Sequence, residues 1–131
     1  MKKILNFIGG ESIAPLSGQF FDNIDPAIGA AYSVVPDSDE KDLELAVAAA
    51  KKAWPAWKNT SASERAVMLS KLAGLIETRM EDFIRAESID TGKPVFLTRN
   101  IDIPRGAANL RVFAEAAKTF GGQNFEKEHS R

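Results

Sequence analysis

An α+β fold is predicted for this 131-residue chain, with short antiparallel strands first and three to five helices after them. Three observations carry that prediction. Residues 4–36 alternate short strand-like runs with turn residues. From Ser38 onward apolar residues recur at helical spacing. After residue 36 there is no long apolar run of the kind a parallel doubly wound sheet needs.

The elements follow in order. Asn6-Phe7-Ile8 leads into Gly9-Gly10, a dipeptide suited to a tight hairpin. Gly18 precedes Gln19-Phe20-Phe21, and Asp25-Pro26 with Gly29 marks another turn. Ala31 to Val35 is the last run before Pro36. These signals predict two or three short strands. Ser38 or Asp39 can cap the first helix, and Asp39, Glu40 and Asp42 crowd its first turn, where the helix dipole favours anions. Leu43, Ala46, Val47, Ala50 and Ala53 form one stripe, and Lys51 and Lys52 are expected near its C-terminal end. Pro55 biases Trp54 away from helix, so the helix is expected to stop there.

Ser61-Ala62-Ser63-Glu64 is a capping box. Met68, Leu69, Leu72, Leu75, Ile76, Met80, Phe83 and Ile84 continue an apolar face. The span to Ile89 is long enough to predict a bend or break near Arg79. Gly92 follows where a chain leaving a helix needs positive φ, and Pro94 cannot continue the incoming helix. A last helix is predicted to open between Asp102 and Pro104, with Ile103, Ala107, Leu110, Ala114 and Ala117 on one face. Gly121-Gly122 is expected to end it, and residues 123–131 are polar and aperiodic.

Composition excludes several function classes. A net charge of −1 makes no case for nucleic acid or an anionic membrane. No stretch approaches the length of a membrane span. The start, Met1 to Asn6, resembles a signal-peptide opening, but Asn6, Gly9, Gly10 and Glu11 interrupt any apolar segment. Without cysteine there are no disulfides and no thiolate metal sites, which suits the cytoplasm, the expected location.

Catalytic parts are scarce. His129, the only histidine, lies in the charged tail, so a serine–histidine triad has no support. Asp37, Asp39, Glu40 and Asp42 are the only acidic cluster, and dipole compensation explains them better than a metal. Neither glycine-rich phosphate motif occurs. Trp54 and Trp57 with Lys51, Lys52 and Lys58 suit helix packing plus solvated lysines better than a nucleic-acid patch.

The wording of several segments is more specific. Glu87-x-x-Asp90-x-Gly92-Lys93-Pro94, ten residues before Pro104, resembles the N-terminal part of the NAD(P)-dependent aldehyde dehydrogenases. Asn6 to Glu11 is similar to that family's opening hairpin. Asn23 to Gly29 resembles its N-P-A-T-G turn, with Asp25 for Asn and Ile28 for Thr. Ser38 to Trp54 resembles the next helix, and Trp57, Ser63-Glu64-Arg65 and Leu69 to Ile76 the one after. Five pieces in the right order cover essentially the whole chain.

The resemblance implies an N-terminal portion, residues 1–131, of the cofactor-binding domain of a fold that is α/β when complete. In such enzymes a cysteine thiolate attacks the aldehyde carbon, hydride passes to NAD or NADP, and water activated by a glutamate releases the acid. The Rossmann core, the catalytic domain, the cysteine and the base are all expected beyond this chain. No catalytic or cofactor-binding residue carries over. The complete enzyme is expected to take an aldehyde and to form a dimer or tetramer.

Two positions do carry over. Asp90, with the backbone carbonyl of Ile24, resembles the structural monovalent-cation site of many members, and a hard cation suits such oxygen ligands. The plain alternative is a polar residue at a helix end. Arg105 follows Asp102-Ile103-Pro104 in wording similar to the 2-hydroxymuconic and 2-aminomuconic semialdehyde dehydrogenase branch. There an arginine at this place can meet a substrate carboxylate with a bidentate fork. A solvated first-turn arginine is the alternative.

Three readings of the whole chain remain. It is an enzyme portion inactive by itself, or a structural module that pairs with itself or with full-length subunits. In the module reading, apolar helix faces such as Leu69, Leu72 and Ile76 drive the association. The third reading is an unrelated α+β domain.

Overall fold

The computed structural model describes residues 1–120. Five short strands come first: β1 (Lys2–Lys3), β2 (Asn6–Ile8), β3 (Glu11–Ile13), β4 (Phe20–Asp25) and β5 (Ala30–Pro36). Helices α1 (Glu40–Trp57), α2 (Ala62–Thr78), α3 (Met80–Thr91), α4 (Val95–Leu97) and α5 (Ile103–Thr119) follow, with a π-turn, Thr98–Asp102, joining α4 to α5. The α+β class and its order, strands then helices, are as the sequence predicts.

The Gly9-Gly10 hairpin forms, with Ile8 opposite Glu11 and both glycines at positive φ. Strands β4 and β5 form a second antiparallel pair, with a register shift at Asn23/Ile24. The strand count corrects the sequence reading: five strands stand where two or three were predicted. One pairing is also parallel, Lys2 opposite Ser33 and Lys3 opposite Val34. Two lysines carry no strand pattern, so only the neighbouring backbone makes them a strand.

Asp39, not Ser38, caps α1, and Asp42 completes a reciprocal capping box. Asp42 is 2% exposed because its Oδ1 also accepts the Leu16 amide at 3.0 Å, pinning the preceding loop. The expected stop at Trp54 is not seen. The helix continues through Pro55, and the Lys58 amide still reaches the Trp54 carbonyl at 2.8 Å. Pro55 costs only its own missing donor so near the end. Lys51 and Lys52 therefore fall short of the last turn, which holds no basic residue.

The predicted break at Arg79 is present between α2 and α3. The buried seam differs from the large apolar stripe expected there. Ala66 and Ala73 of α2 are fully covered, as are Ala107 and Ala114 of α5, while Met68, Leu72 and Leu75 stay about half exposed. Small residues let the two helices approach closely, and the Arg111–Glu77 pair ties them at the edge. The last helix, α5, opens at Ile103 with Pro104 in its first turn, as predicted, and the short α4 and the π-turn before it are what the sequence did not announce. Pro104 has no amide hydrogen to give the Asn100 carbonyl, and the ladder widens there. Ile103 donates to the Thr98 carbonyl, five residues back. The expected stop at Gly121-Gly122 lies outside the described residues.

Candidate functional site

Two clusters hold the residues singled out by sequence, one at each side of the Gly92 turn. Gly92 caps α3 at φ 72°, and its amide donates to the Ser88 carbonyl. A Cβ there would meet the Pro26 Cβ at 3.2 Å, so glycine is required both by conformation and by space. That contact seats the Asp25–Gly29 turn on the end of α3. The turn is closed locally, with the Ala27 amide on Asp25 Oδ1 at 2.8 Å and the Gly29 amide on the Asp25 carbonyl at 2.8 Å.

Asp90 lies in the last turn of that helix, two residues before Gly92. Its Oδ1 accepts the Tyr32 hydroxyl at 2.6 Å and the Asn23 amide nitrogen at 3.0 Å. Asn23 also donates to the Tyr32 oxygen at 2.8 Å. The Tyr32 hydrogen bond, then that of Asn23, holds the Asp90 carboxyl below the usual carboxylate range. In return, Asp90 pushes the Tyr32 phenol up. Ile24 is the residue after Asn23, at the register shift of β4. The structure thus brings the strand bearing Ile24 to Asp90 through a neighbouring side chain. Among the described residues no group donates to Asp90 Oδ2. Among the described residues no group of three or more His, Cys, Asp or Glu gathers for a metal ion. Asn23 and Tyr32 escaped the sequence reading because they lie 67 and 58 residues from Asp90.

A cleft of about 730 Å³ opens beside this cluster, between Lys2, Ile4 and Tyr32 on one wall and Phe83, Ala86 and Asp90 of α3 on the other. Arg105 is not among its lining residues. It stands on the first turn of α5, with its side chain 66% exposed and Nη2 bonded to Asp102 Oδ1 at 3.2 Å. Asp102 is itself held from the other side by Lys93 Nζ at 3.0 Å, and Lys93 also reaches Glu87 at 3.4 Å. The Asp102 bond is the main cause that raises the Lys93 ammonium. Arg99 pairs with Glu81 and fastens the π-turn to α3. The two sequence-predicted residues, Asp90 and Arg105, are therefore not brought into one site.

No dinucleotide cradle is present among these elements. The positive-φ glycines Gly9, Gly10, Gly18, Gly29 and Gly92 serve turns and a helix end, and none lies between a strand and the helix it feeds. The described residues do not fit that cofactor. Nor is any described helix long and apolar enough to cross a membrane.

Comparison with known proteins agrees with this geometry. The chain is 47% identical over 111 residues to a 2-aminomuconic semialdehyde dehydrogenase of Danio rerio, covering 85% of this chain and 22% of that protein. It is 41% identical over 127 residues to a 2-hydroxymuconic semialdehyde dehydrogenase of Pseudomonas sp. (strain CF600), covering 96% and 26%. The crystal structure of PnpE in complex with nicotinamide adenine dinucleotide superposes with a TM-score of 0.88 at 35% identity, covering 98% of this chain and 26% of that one. The chain thus spans about a quarter of the length of the relatives it matches. Residues 13–131 match the aldehyde dehydrogenase family model, so strands, helices and the Gly92 turn alike place the chain in the aldehyde dehydrogenase family.

Proposed function

We propose that this chain serves as the N-terminal part of an aldehyde dehydrogenase acting on an aldehyde that also bears a carboxylate. The observation that carries the reading is Arg105. Its guanidinium is two-thirds exposed, one N–H is engaged by Asp102, and the remaining donors have no recorded partner among the described residues. An arginine so placed can fork onto a carboxylate. The names of the Danio and Pseudomonas relatives, both semialdehyde dehydrogenases of muconic type, support the same substrate class. In an active enzyme containing this segment, Arg105→Ala is expected to raise KM for a carboxylated aldehyde about 10- to 100-fold, as loss of a charge-assisted hydrogen bond implies. An uncarboxylated aldehyde should be unaffected. Equal losses on both substrates would sink the idea.

The thiolate nucleophile, the base and the NAD or NADP site belong to the rest of such an enzyme in this reading, supported by a sequence without cysteine and by the lack of a dinucleotide cradle among the described residues. The 131-residue chain is therefore inactive by itself. Purified chain mixed with aldehyde and NAD or NADP should yield no reduced cofactor, and turnover that survives removal of contaminants would refute this. We place Asp90 and the Ile24 carbonyl at a structural monovalent-cation site, supported by the hydrogen bond from Asn23, the residue before Ile24, to Asp90 Oδ1. The assembled enzyme is a cytoplasmic dimer or tetramer in this reading. A second reading, a module that pairs with itself or with full-length subunits, is favoured by the half-exposed Leu72 and Leu75 on α2.

A further inference from the structure

We propose that Asp102 is a positioning residue for Arg105, and that Lys93 anchors Asp102 in that role. The inference rests on Arg105 as the receiver of a substrate carboxylate. Asp102 closes the π-turn, and its side chain is only 17% exposed against 66% for Arg105. Each of its oxygens takes one cation. Oδ1 accepts Arg105 Nη2 at 3.2 Å, and Oδ2 accepts Lys93 Nζ at 3.0 Å. Lys93 comes from the loop after Gly92 and is also tied to Glu87 of α3.

An exposed i,i+3 pair is normally a weak restraint, because both partners move. Here one partner is fixed. Lys93 and Glu87 anchor Asp102 to the end of α3, so the Arg105 side chain is steered by an acceptor that does not follow it. The widened ladder before Pro104 sets where that acceptor stands on the helix. The charges of the cluster balance, Lys93 and Arg105 against Glu87 and Asp102, so direction and free donors, not net charge, are what the arrangement gives Arg105. Only one of its five N–H donors is spent on Asp102, which leaves a fork for the substrate.

The test joins residues 1–131 to the remainder of the Pseudomonas relative. The joined enzyme is assayed on an aldehyde with a distal carboxylate and on one of equal length without it. Asp102→Ala is expected to raise KM for the carboxylated substrate about five-fold at unchanged kcat, the scale of one exposed ion pair. Asp102→Asn, which keeps an acceptor oxygen, should recover part of the loss. Lys93→Met should also raise that KM, yet add nothing in the Lys93→Met/Asp102→Ala double variant, because Lys93 acts through Asp102. The uncarboxylated substrate should not respond. Arg105→Ala harming both substrates equally refutes the carboxylate reading itself. Arg105→Ala selective with Asp102→Ala neutral overturns only the positioning role. Nitrogen-15 spectra of the 131-residue chain read the same contact without turnover. Hindered rotation at the Arg105 Nη2 group is expected and should vanish in Asp102→Ala; a signal indifferent to that substitution overturns the proposal.

Discussion

Gly92 shows how much one residue decides. It carries a left-handed conformation that costs other residues about 1–2 kcal/mol, and it touches Pro26 where a Cβ would crowd. Gly92→Ala is therefore expected to lower stability by about 2 kcal/mol, read from urea denaturation midpoints. Gly74, in mid-α2 with open space around its Cα, is the matched control. Gly74→Ala should be neutral or stabilise by about 0.5–1 kcal/mol. A Gly92→Ala loss no larger than that control would remove the argument. The requirement at Gly92 was legible because a helix end announces itself locally. Asp90 was legible as a position but not as a contact, since Tyr32 and Asn23 reach it from strands that only folding brings near.

Capping governs the elements. The Glu64 carboxylate accepts the Ser61 amide at 2.7 Å and the Ser61 hydroxyl at 2.9 Å, which hold it below the usual glutamate range, the amide first. A depressed carboxyl stabilises the fold above its unfolded value near 4.5 and loses that contribution as pH falls through its folded value. Glu64→Gln should thus flatten the acid limb of the melting temperature below about pH 4.5, the two proteins converging once pH has fallen below the lowered folded value of Glu64. An unchanged acid limb would count against the box. The α2–α5 seam makes a separate prediction. Ala73→Leu or Ala114→Leu should destabilise by about 1–3 kcal/mol, because both sites are fully buried between close helices. Val67→Leu on the exposed side should not. One proline taught the opposite lesson to the caps. Pro104 stands in the first turn of α5 as read, whereas Pro55 read as a boundary and sits inside α1, because near a helix end a missing donor is absorbed by neighbouring geometry.

At the scale of the molecule, surface is the dominant fact. Helix α1 buries only Asp42, leaving Leu43, Val47, Trp54 and Trp57 exposed. Light scattering on the isolated chain is accordingly expected to show association that grows with concentration. A sharp monomer at high concentration would argue against the self-pairing module.

The sequence by itself determined the family, the strand-then-helix order, the cap at Ser61 and the turn at Gly92, and it narrowed the first cap to Ser38 or Asp39. Each of these is written in a few adjacent residues or in a period along one helix. Tertiary structure alone decided that alanines form the α2–α5 seam, that Lys2–Lys3 joins β5, that Tyr32 and Asn23 hold Asp90, and that Asp102 stands between Lys93 and Arg105. Those pairings depend on which faces meet after collapse, and spacing along the chain carries no record of that.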